Sequence, residues 1–275
     1  MRSSTRSAIA LAVSTAAMIA MTAVSMAQQP PQRPGGPPQL APIKPYTAVN
    51  ITPPQAANDP SFEAFRKQLG EAARKKDRAA LGKLVVAQGF FWETGDTDKA
   101  DKKKAGIDNL EKAINLAAKE GFGWDTLNGA AEDPTLEPAP PTHKGAMCGP
   151  ASPRFDEKQF EALMKATGTD GGDWGYPLSA GVEVRDGPQA SGKVFDKLGM
   201  HLVRVMPDEQ PAGAPPAAGG NQPAPTHPSI KVVLPSGKVG FVAMETISPL
   251  GMEQLCYIKE GATWKITGFI GGESQ

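Results

Sequence analysis

The spacing of apolar residues changes period once along this chain, and that change limits the folds open to it. From Phe62 to Met164 apolar side chains recur at three- and four-residue intervals, whereas from Val182 onward they alternate. The first period gathers them on one face of a helix, the second on one face of a strand. Helices followed by strands predict an α+β chain, with a mainly helical domain over residues 59–170 and a small β-barrel over 180–250.

The helical signals are local and specific. Asp59-Pro60 supplies a cap and a proline suited to a first turn, ahead of Phe62, Phe65, Leu69, Ala72 and Ala73 on one face. Asp77 can cap a second helix carrying Leu81, Leu84 and Val85, and Ile107, Leu110, Ile114 and Ala117 mark another that stops at Gly121. Asp156 with Gln159 resembles a capping box before Phe160, Leu163 and Met164, in a helix ending near Gly168. The cluster Phe90-Phe91-Trp92 reads as core, because a chain only 6% aromatic needs its rings for burial. Residues 132–153 read as a polar, proline-studded loop.

The flanking segments set the compartment. Arg2 and Arg6 precede a weakly apolar run from Ala8 to Val24, closed by Ser25-Met26-Ala27 with small residues suited to a leader peptidase. Residues 1–27 are therefore expected to be a secretory signal, leaving a periplasmic or secreted chain with no later membrane span. Proline density in residues 28–58 predicts a tether, and the Pro/Gly/Ala-rich stretch 207–228 predicts a disordered insertion. Basic and acidic residues balance at 29 each, falling to 27 against 29 once the leader is removed. That balance excludes a nucleic-acid binder that relies on surplus positive charge.

Past residue 180, Val182-Glu183-Val184-Arg185-Asp186-Gly187-Pro188 gives a strand and turn. Ile230 to Val242 reads as a hairpin turning at Pro235-Ser236-Gly237-Lys238. In these residues the chain resembles bacterial SH3-like domains, whose pattern is V-x-V-R-x-x-P followed by K-V-x-x-x-x-G-x-x-G-[FYW]-V. Lys231-Val232, Gly237, Gly240, Phe241 and Val242 fill the second part. The resemblance covers about a quarter of the chain. The tryptophan usual before the K-V pair is replaced by Ser229-Ile230, and the 207–228 insertion separates strands that the family joins closely. It implies an envelope module that binds cell-wall peptide or acts as a spacer. The strands expected at 253–270, ending Trp264-Lys265-Ile266, also resemble the end of nuclear-transport-factor-2-like cone folds; that would place the barrel as an insertion within a cone-like domain.

Chemistry-bearing residues are few. Histidine occurs only at His143, His201 and His227, with no metal-binding spacing. Asp96, Asp98 and Asp101 suggest a calcium loop, yet Asp101 stands where that loop requires glycine and Ile107 where it requires glutamate. No nucleophile elbow or phosphate loop is present. No metal, cofactor or catalytic residue is assigned, and the ligand-binding residues are unknown. The expected function is a non-enzymatic binding or scaffolding module of the cell envelope, its partner peptidoglycan or another envelope protein. The alternative is a cell-wall-active or small-molecule enzyme using Cys148 or His201. An exported chain with two cysteines predicts one disulfide, Cys148–Cys256.

Overall fold

A computed structural model describes residues 41–95, 97–206 and 228–271. The leader expected at 1–27, the tether as far as residue 40, Asp96 and all but the last residue of the 207–228 insertion lie outside the described residues. The described chain is α+β, with five α-helices and three sheets. No described helix is long and apolar enough to cross a membrane.

The chain opens with β1 (Ile51–Thr52), α1 (Pro60–Arg74), α2 (Arg78–Leu84), β2 (Phe91–Thr94) and β3 (Thr97–Asp98). It continues with α3 (Gly106–Ala113), α4 (Phe122–Glu132), β4 (Glu137–Pro138), β5 (Met147–Gly149), β6 (Arg154–Phe155) and α5 (Glu157–Thr167). The strand-rich stretch contains β7 (Trp174–Pro177), β8 (Val182–Arg185), β9 (Val194–Leu198), β10 (Val203–Met206), β11 (Ser229–Val233), β12 (Val239–Ala243) and β13 (Ile247–Pro249). The chain closes with β14 (Gln254–Glu260) and β15 (Thr263–Ile270). The caps read from sequence are in place: Asp59 accepts from the Ser61 and Phe62 amides, Asp77 from Ala80, and Asp156 from Gln159.

The helices do not form a domain by themselves. Phe62, Phe65, Leu69, Leu81, Leu110 and Leu127 share one buried cluster with Trp92 of β2 and with Tyr257, Trp264, Ile266 and Phe269 of the last two strands. The Phe62 ring meets Tyr257 and Trp264 edge-on, at 5.2 and 5.3 Å between centroids. Their sheet runs β3-β2-β15-β14-β5-β4, so the two final strands are its centre. A helical domain standing alone at 59–170 is thus corrected to a helix-on-sheet half completed by residues 254–270, the arrangement in which the strand-rich stretch is an insertion. The apolar faces of α1 to α4 need a sheet to cover them, and the C-terminal hairpin provides it. Gly268 belongs to this arrangement: an added methyl would collide with the Phe91 ring on the neighbouring strand, which pairs with β15 in parallel.

The remaining strands form a seven-stranded sheet in the order β13-β7-β10-β11-β12-β8-β9, and it is open. The barrel expected at 180–250 is corrected accordingly. β7, outside those bounds, pairs with both β10 and β13, so the last strand ends at one edge of the sheet while β9 occupies the other. The hairpin read at Ile230–Val242 is present as β11 and β12.

Residues 41–52 of the segment read as tether pack against this half, and Ala56 and Ala57 meet Thr135 and Pro134 of the other. Val49 and Ile51 are buried with Trp174, Tyr176, Leu202 and Leu163 of α5. Tyr46 donates its hydroxyl to the Val233 carbonyl, and the buried Arg204 guanidinium donates to the carbonyls of Ala41 and Pro42. Prolines forbid helix here, yet leave tyrosine, valine and isoleucine free to be buried. The fifth helix belongs to this cluster as well, not to the one around α1.

Candidate functional site

The expected disulfide is formed. Cys148 and Cys256 stand opposite each other on β5 and β14, 108 residues apart in sequence. The Cys148 sulfur is therefore not a free thiolate, and it cannot serve as the nucleophile considered for it. His201 lies elsewhere, its Nδ1 3.0 Å from the Leu202 carbonyl oxygen. His143 reaches Glu93, with Nε2 2.6 Å from Oε1, and stacks on Phe91 at 3.5 Å; these contacts pin the loop between β4 and β5 across the sheet. His227 lies outside the described residues.

Asp98 and Asp101 serve the local backbone. Asp98 accepts from the Trp92 and Ala100 amides, and Asp101 from Lys103. Among the described residues, no group of three or more histidines, cysteines, aspartates or glutamates is placed to hold a metal ion.

A cleft of about 590 Å³ lies where the two halves meet. Its walls come from distant stretches: Pro53 and Pro54, the end of α4 with Asp133, the Gly149–Ala151 loop, Tyr176 and Leu178, and the crossing from β13 into β14. Only residues 250–253 separate those last two strands, which belong to different sheets. The sheets diverge from that short crossing, and the space between them is the cleft. The lining is mainly apolar. Leu178 and Met252 line it while keeping 56% and 46% of their surface in solvent. Its volume lies in the usual range for a small-molecule or short-peptide site.

Its polar groups converge on Tyr176. Burial pushes the phenol pKa up, an effect eased by a hydrogen bond with Ser248 and reinforced by the nearby Asp133 and Glu137 carboxylates. Asp133 uses one oxygen to accept from the Thr135 amide and hydroxyl, at 2.7 and 2.5 Å, and its other oxygen has no partner among the described residues. Glu137 accepts from Ser152 and Gln254, both neutral. Glu253 lines the cleft in a solvent-exposed position. Among the described residues, no lysine, arginine or histidine lines the cleft. Arg66, outside the lining, donates through one nitrogen to the carbonyls of Ala131 and Glu132 at the end of α4, while its buried Nε has no partner among the described residues.

Where the SH3-like resemblance directs attention, the structure has a shallower hollow of about 260 Å³, edged by Arg185, Pro188, Phe241 and Glu245. Sequence reasoning did not assign the seam cleft. Its residues share no local motif, and the one signal available was the unspent apolar pair Leu178 and Met252 beside turns. No protein-family model, no curated protein and no solved structure matches this chain.

Proposed function

We propose that this chain is an exported, non-enzymatic binding protein of the cell envelope, and that the seam cleft receives its ligand, a short peptide of the cell wall. The carrying observation is the cleft itself: an apolar cavity of about 590 Å³ with convergent polar groups and exposed apolar side chains lining it. The leader-like residues 1–27 and the disulfide suit export. An SH3-like origin for residues 180–250 is supported by strand β8, which carries the Val182–Arg185 part of the pattern, and by the β11–β12 hairpin, which carries Lys231-Val232 to Val242. A cone-like origin for the other half is supported by helices at its start and a closing hairpin at its end, with the strand-rich stretch inserted between them.

Retention of the exported chain on purified peptidoglycan tests the reading. Wild type is expected to sediment with it, and a Leu178→Asp/Met252→Asp variant to remain in solution. Equal retention of both would exclude the cleft as the binding site. Absence of retention for either would exclude the wall as the partner.

A further inference from the structure

The charged side chains in the cleft lining are both carboxylates, Asp133 and Glu253, and its backbone is poor in donors. Four of its lining residues, Pro53, Pro54, Pro150 and Pro249, have no amide hydrogen. The edge strand β13 extends this bias. Leu178 donates to the Thr246 carbonyl and Leu250 to the Trp174 carbonyl, which makes 246/178, 248/176 and 250/174 the hydrogen-bonded pairs with β7. The backbone groups of Ile247 and Pro249 consequently point away from β7, on the open edge of the sheet. The Ile247 amide is used by the Met244 carbonyl, and Pro249 has none, so that edge presents carbonyl oxygens alone. The same cleft is lined by Asp133, one of whose oxygens has no partner among the described residues, and by Glu253, with no cationic side chain among the described lining residues.

A site of this kind suits a group that donates hydrogen bonds and carries positive charge. A primary ammonium has three donors, no acceptor and a positive charge. The apolar walls, with Leu178 and Met252 at the solvent-exposed part, suit the methylene stem that carries such a group. We infer that the cleft recognises the aliphatic ammonium of a lysine-type diamino-acid side chain within a short peptide, its stem lying on Leu178 and Met252 and its charge between Asp133, Glu253 and the β13 carbonyls. This rests on the reading of the cleft as the ligand site and adds the chemistry that selects the ligand.

The test uses the mature chain and three probes in calorimetric titration: an alanine tetrapeptide with one lysine, the same peptide acetylated on the lysine Nε, and free pentane-1,5-diamine. The lysine peptide is expected to saturate one site, more weakly at higher salt, and acetylation to weaken binding about tenfold or more. In an Asp133→Asn/Glu253→Gln variant, which keeps the oxygen that Asp133 uses for Thr135, the two peptides should bind alike. Equal affinity for the acetylated peptide, or discrimination that survives in the variant, would overturn the inference. Diamine binding as tight as the peptide's would overturn the assignment to a peptide. Retention on peptidoglycan that is unchanged after acetylation of the wall's amines would remove the ammonium while leaving the cleft reading intact. Absence of any retention would remove both.

Discussion

Reducing the disulfide is the perturbation whose consequence can be worked most directly from the chain. Cys148 and Cys256 are separated by 108 residues, so the link closes a loop holding β6, α5 and the whole strand-rich half. In the chain-entropy model, closing a loop of that length removes about 16 cal/mol/K from the unfolded ensemble, or about 5 kcal/mol at 25 °C. Both sulfurs are buried among Phe91, Ala146 and Ile270, so reduction deletes no atoms and opens no cavity. The expected loss is thus close to the entropic figure, lowered by whatever residual structure the unfolded chain keeps. Urea unfolding of the oxidised chain against the chain held in dithiothreitol measures it. The midpoint should fall by more than 1 M with little change in slope, given slopes of about 1–3 kcal/mol/M for such transitions. A loss below about 1 kcal/mol would refute the reasoning, because it would mean that the loop ends are already held together in the unfolded chain.

Phe62→Ala should cost about 3–5 kcal/mol, measured in the same urea assay, since the ring is fully buried against Tyr257 and Trp264. It should also expose Trp264 to quenching, because the same core holds β15. Gly268→Ala should lower the melting temperature by several degrees, about 1–3 kcal/mol of overpacking, as its methyl would collide with the Phe91 ring. Acid should weaken the joint between α1 and β14. The Ser61 hydroxyl, and then Lys259, hold the Asp59 carboxyl well below the usual carboxylate range. A depressed folded value gives stability that is present above the unfolded value, about 3.9, and is lost as pH falls through the folded one. Melting curves from pH 6 to pH 2 should show that decline, and Asp59→Ala should flatten part of it.

What could be read from the sequence was what short stretches decide alone. Asp59, Asp77 and Asp156 cap their helices because a cap needs only its next three residues. The turn at Pro235–Lys238 fixed its hairpin for the same reason. The partner of the α1 face was legible only through the resemblance of the Trp264-Lys265-Ile266 ending to cone-like folds: Trp264 and Phe269 lie some two hundred residues from Phe62, and nothing in their own alternation says which helices they cover. Over residues 41–58 the tether reading failed because proline density forbids helix without forbidding burial: Val49 and Ile51 are buried between those prolines and Tyr46 is half-buried. The barrel failed because β7 lies before the matched pattern and takes the edge that β13 would have used for closure. The cleft was the least legible part. Asp133, Tyr176 and Glu253 are ordinary residues until the fold gathers them.

The disulfide and the cleft share one origin in the topology. The chain leaves the helix-on-sheet half after β5 and returns at β14, and those two strands carry Cys148 and Cys256. The residues just past the exit, Gly149 to Ala151, and those just before the return, Ile247 to Glu253, are also walls of the cleft. One covalent bond therefore fixes the spacing of the two segments whose separation sets the cleft's width. A ligand seated there contacts both halves, so it opposes their parting as the disulfide does, but by mass action instead of by restricting the unfolded chain. With the ligand bound, the halves should unfold in one transition even after reduction. Without it, the reduced chain has only the packing along the seam to couple them.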